Sequence, residues 1–176
     1  MERAINAWSV LVSLDEIPET GLHREIEAPD EVRAAIAKLA GLRELPALAA
    51  TFDLARRGDG VAVNGRVQAR VGQTCVVSLE SIENTVDEPI DLVFAPEPYR
   101  PARATPASDA EEEPPEVLKD GKLDLGALAV EFLMLGIDPY PRKPGVEFTP
   151  PKVENRGDRP FAALAALKKR LGTTQS

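Results

Sequence analysis

The chain has 176 residues, 21 basic against 29 acidic for a net charge of −8, with one Cys, one His and 16 Pro. That length holds one compact domain with tails, and a 43% hydrophobic content excludes a wholly disordered chain. A single Cys excludes a disulfide framework and any zinc site built on several thiolates, and it fits a reducing compartment. The opening Met1-Glu2-Arg3-Ala4-Ile5-Asn6 lacks the apolar core of a signal peptide. The longest apolar stretch, residues 125–135, is interrupted by Glu131 and falls short of the roughly 20 residues a bilayer span needs. The expectation is a soluble cytoplasmic protein.

Residues 8–12 are short and β-rich. After the turn-like Pro18-Glu19-Thr20-Gly21, residues 22–28 predict a strand. Pro29-Asp30-Glu31-Val32 starts a helix, with Pro and acids in the first turn where the dipole favours them. Val32, Ile36, Leu39 and Ala40 follow at helical spacing, and Gly41 stops it. Residues 47–55 have no clean period and are assigned to a strand.

The clearest signal comes next. Val61, Val63, Val67, Ala69, Val71, Cys75, Val77 and Leu79 fall on odd positions, with Asn64, Arg66, Gln68 and Arg70 between them. Such alternation marks a strand with one buried and one wet face. Its phase passes through Asn64-Gly65, so a bulge in one long strand is expected there rather than a turn. Ile82, Val86, Ile90, Leu92 and Phe94 keep a second alternation, with Glu83, Asp87 and Asp91 opposite. Together the runs predict a long antiparallel hairpin turning near residues 78–81.

From about 96 to 116, prolines alternate with Ala, Ser and the run Glu111-Glu112-Glu113, which reads as a flexible, solvated insertion. Residues 125–136 predict a helix capped by Asp124; its apolar residues cover almost the whole circumference, as in a helix wedged into the core. A last helix, 160–171, places Phe161, Leu164, Leu167 and Leu171 on roughly one face, with Lys168-Lys169-Arg170 in its final turn. The fold expected is one α+β domain over 1–176: an antiparallel sheet or partly open barrel built on the long hairpin, with three packed helices.

Catalytic constellations are missing from this pattern. His23 lies in a predicted strand with no motif around it and reads as a polar strand residue. Cys75 lies on the apolar face, as a small core residue would. Gly58, Gly60 and Gly65 match no phosphate loop or dinucleotide fingerprint. Glu131, alone on an apolar helix, reads as the acid marking its wet edge; the alternative is a buried functional carboxylate, which a pocket with a second acid or base in reach would favour. Nothing assembles a general acid, a base and a pocket, so the expectation is a non-enzyme with no cofactor, no metal and no small-molecule substrate.

The charge is uneven. From Arg142 onward there are eight basic and three acidic residues, so this tail is +5 and residues 1–141 are −13, which together give the net −8. A basic tail on an acidic body serves either to contact nucleic acid or to fold back on its own body. Arg56, Arg57, Arg66 and Arg70 are candidates to line the polar strand face, but no aromatic run interleaves with them as a stacking platform requires.

Three stretches in order resemble a known family. They are Asn64-Gly65-Arg66-Val67 with Val71-Gly72-Gln73-Thr74-Cys75-Val76-Val77-Ser78-Leu79-Glu80 and Phe94-Ala95-Pro96; then Leu123-Asp124-Leu125 with Glu131-Phe132-Leu133-Met134-Leu135; then Arg159-Pro160-Phe161 leading into a Leu/Lys helix. This pattern is similar to that of the YceD family, the bacterial large ribosomal RNA subunit accumulation proteins. The resemblance implies ribosome biogenesis, a role supporting 23S rRNA accumulation; the missing catalytic constellations favour a non-catalytic binding protein, whose partner is ribosomal RNA or a precursor large subunit. The contact candidates are Arg156, Arg159, Lys168, Lys169, Arg170, Arg66 and Arg70. The −13 body supports the alternative, an adaptor for a basic protein client such as a ribosomal protein or a ribonuclease; neither involves a membrane. Many family members carry Cys-x-x-Cys at the hairpin turn and a further His or Cys after the second helix, suggesting a metal. Here the second position is Ser78, and Asp138-Pro139-Tyr140-Pro141-Arg142-Lys143 offers no His or Cys, so no metal is expected.

Overall fold

The computed structural model describes residues 7–96, 115–118, 120–148 and 150, and the elements below belong to the compact unit that ends at Pro144. Three long antiparallel strands make its centre: β3 (Glu44–Arg57), β4 (Gly60–Thr74) and β5 (Ser81–Pro96). Before them come β1 (Leu11–Ser13), β2 (Leu22–Glu27) and α1 (Asp30–Ala40); after them come β6 (Glu116–Leu118), β7 (Lys122–Asp124) and α2 (Leu125–Gly136). The sheet order is β2-β3-β4-β5-β6, and β1 pairs with β7 in a separate two-stranded ribbon.

The architecture is therefore α+β, with one correction to the expected sheet and a decision between its two alternatives. It is mixed, because β6 runs parallel to the end of β5. It is also not closed into a barrel: its edge strands, of six and three residues, pair with β3 and β5 and not with each other. Two α-helices stand among the described residues; the third expected helix, 160–171, lies outside them, as does most of the 96–116 insertion. At the borders of that insertion, β5 extends through Pro96 and β6 begins at Glu116.

The alternation translates directly into burial. Val61, Val63, Val67 and Val71 of β4 are within 1% of complete burial, facing Leu48, Phe52 and Leu54 of β3 in one cluster with Ile36 of α1 and Leu125 and Leu133 of α2. β4 passes through Asn64-Gly65 in unbroken register, Gly65 lying opposite Phe52 on one side and Ile90 on the other. The expected bulge is absent. Glycine is required there for space, since a Cβ would collide with the Thr51 carbonyl and crowd the Phe52 ring. The register shift in this sheet falls instead between Glu44 and Ala47, where Pro46 removes a ladder donor.

Two arginines brace the sheet from its interior side. Arg33 of α1 donates to the carbonyls of Ala28 (2.6 Å) and Leu45 (3.1 Å) and pairs with Asp30. Arg56 donates to the carbonyls of Ile17 (2.8 Å) and Leu14 (2.7 Å), tying the N-terminal segment to β3. Arg56 thus departs from its expected place on the polar face, because even positions of β3 point to the core. Helix α2 starts on Asp124, whose Oδ1 accepts N–H bonds from Ala127 (3.1 Å) and Val10 (2.9 Å) while Oδ2 accepts from the Ser9 hydroxyl (2.7 Å).

Candidate functional site

The β4–β5 connection is a tight knuckle. The Cys75 N–H donates to the Glu80 carbonyl (2.8 Å), and the Cys75 carbonyl accepts from Leu79 (3.0 Å), which takes a left-handed backbone at φ +60°. Cys75 has no exposed surface. Its Sγ accepts the N–H of Ser78 (3.4 Å) and of Lys143 (3.3 Å), and Val76 donates to the Pro141 carbonyl (2.9 Å). The segment after α2 is thereby laced to the knuckle, and the Lys143–Glu80 ion pair (2.9 Å) closes it on the outside. Hydrogen bonds from the Ser78 side chain, then from the N–H groups of Ser78 and Lys143, bring the Cys75 thiol down to about 6. The same ion pair lowers the Glu80 carboxyl and raises the Lys143 ammonium.

Ser78 and the segment 138–143 are the places where the resemblance sets further metal ligands, and here Ser78 and Lys143 meet the Cys75 sulfur while Pro141 bonds Val76. The donor set does not fit a structural zinc ion. One thiolate, one hydroxyl and backbone N–H groups cannot supply four N or S ligands. Among the described residues, no group of three or more His, Cys, Asp or Glu gathers at one point.

On the outer face of the sheet, Arg66 and Arg70 are exposed two pleat repeats apart, as the alternation predicts. The surroundings are acidic. Arg66 is already paired with Asp87 (2.8 Å), and Glu25, Asp53, Glu83 and Asp91 share that face by register. His23 is an exposed strand residue whose Nδ1 lies 2.7 Å from Asp53 and Nε2 3.4 Å from Glu25, and hydrogen bonding to Asp53 raises its pKa. The other candidate contacts, Arg156, Arg159, Lys168, Lys169 and Arg170, lie outside the described residues.

A third feature was not anticipated. Leu92 and Phe94 of β5, together with β6, β7 and α2, line an open groove of about 590 Å³. Leu11, Val117 and Leu135 stand exposed at its lip (60%, 45% and 73%), and Glu116, Asp120 and Glu131 rim it. The signal was present in the apolar circumference of residues 125–135. Only one side of α2 is buried, and the remaining apolar positions face this groove or solvent.

A family model described as Large ribosomal RNA subunit accumulation protein YceD matches residues 63–168. The chain belongs to the YceD family. The match takes in most of β4, all of β5, the Cys75 knuckle and α2, so each of these features lies within the YceD region. No curated protein and no solved structure matches the chain. Among the described residues, no helix is long and apolar enough to cross a membrane.

Proposed function

We propose that this YceD chain supports accumulation of large-subunit ribosomal RNA as a non-catalytic, cytoplasmic binding protein that engages ribosomal RNA or a precursor of the large subunit. The observation that carries the reading is the family match, which covers the stiff β4–β5 hairpin and reaches into the basic tail as far as Lys168. The state of the reactive groups supports a binding role: the Cys75 sulfur is enclosed and His23 is held between two carboxylates. RNA contact is assigned to Arg156, Arg159, Lys168, Lys169 and Arg170, assisted by Arg70, because the sheet around Arg66 is acidic. In a sucrose gradient of lysate, the protein is expected to travel with precursor large subunits. Replacing Lys168, Lys169 and Arg170 by Ala should weaken that association and flatten its salt dependence by about 0.7–0.9 log units per lost phosphate contact. A protein found only at the top of the gradient would remove this reading.

The acidic outer face of the sheet favours a second reading, in which the body holds a basic protein client. Recovery of the same partner from nuclease-treated lysate would favour it, and loss of every partner on that treatment would exclude it.

A further inference from the structure

We infer that the groove between α2, β6 and β7 docks a basic amphipathic helix of a partner protein. The inference deepens the protein-client reading by placing the contact and naming its chemistry. The floor is apolar, with Leu92 and Phe94 contributed from β5. The lip exposes Leu11, Val117 and Leu135, large side chains whose hydration is unfavourable and which gather here on one feature. Its volume lies within the range of about 300–1,000 Å³ typical of binding clefts.

The rim decides the occupant. Asp124 spends its carboxylate on Val10, Ala127 and Ser9. Glu116, Asp120 and Glu131 are exposed and make no ion pair or hydrogen bond among the described residues, unlike Asp87 and Glu80, which hold cations elsewhere on the surface. Among the described residues, Lys122 is the one cation in the groove lining. A phosphate backbone or a fatty acid carboxylate would meet uncompensated like charge at this rim. A helix with leucine-like residues on one face and Lys or Arg flanking them fills the floor and neutralises the acids together.

The test uses the full chain and a labelled Leu/Lys peptide of about fourteen residues, near the length at which an isolated helix is marginal, with leucines at helical spacing. Saturable binding in the micromolar range is expected, weakening as salt rises. Leu135→Asp should weaken it at least tenfold, and Glu131→Lys and Glu116→Lys should each weaken it several-fold; circular dichroism of each variant should match the parent. The proposal is overturned if a scrambled peptide of the same composition binds equally well, or if the three variants bind like the parent. It also falls if single-stranded RNA displaces the peptide, or if Leu135→Asp acts by splitting a dimer of this chain in sedimentation. Peptide binding and migration with precursor subunits are separate readouts, so this inference and the broader function fail separately.

Discussion

At Cys75 the chain places an enclosed sulfur among hydrogen-bond donors, with the Lys143 ammonium on the outside. A thiol in that setting ionises near pH 6 rather than in its usual range of about 8.5. Since the folded pKa is depressed, the stability it confers is complete above the unfolded range and is lost as pH falls through about 6. Thiolate ultraviolet absorbance of the native chain should titrate with a midpoint near 6; a midpoint near 8.5 would refute the donor arrangement. Four residues on, exposed Leu79 holds a left-handed backbone. That conformation costs a non-glycine residue about 1–2 kcal/mol, partly offset by the greater unfolded entropy of glycine. Leu79→Gly should therefore stabilise the chain by about 0.5–1 kcal/mol, read as a raised urea midpoint at unchanged m-value. The burial of Cys75 was legible from its odd position in the alternation. Its partners were not, because Lys143 reaches it only through the packing of a segment 68 residues away.

Among the elements, the long hairpin was legible because Val and Ile alternate with polar residues for some thirty positions in register. Strand β3 follows the same rule, with Leu48, Ala50, Phe52 and Leu54 buried, but Ala47, Ala49 and Ala55 on its wet face erased the contrast. Strands β6 and β7, at three residues each, are too short to carry any period and exist through their partners. The helix start at Asp124 was legible as a cap; its second task, holding Ser9 and Val10, was not. Asp124→Ala removes both together and should cost about 1–2 kcal/mol by chemical denaturation. A loss of only a few tenths would mean that the tether to residues 9 and 10 contributes nothing.

For the molecule as a whole, the division into acidic body and basic tail is a property of the sequence, and the structure resolves how the acids are used. Those on the sheet are partly balanced by Arg66 and His23, whereas among the described residues those around the groove have Lys122 as their one neighbouring cation. Composition cannot distinguish these two situations, since only the fold decides which carboxylates face an arginine. The helix wall of the groove was hinted at by the apolar circumference of residues 125–135, but the rest escaped the sequence because Leu11, Phe94 and Val117 join Leu135 from positions scattered over more than a hundred residues.

The parallel course of β6 has a practical corollary. Phe94 lies beside Glu116 and Pro96 beside Leu118, so the stretch between Pro96 and Pro115 leaves and rejoins the sheet at points on the order of 10 Å apart along the strands. Lengthening a closed loop costs only about 0.6 kcal/mol per doubling. A fluorescent reporter spliced into that stretch should leave the strand pairings of the described residues intact, which offers a route to following the protein in living cells.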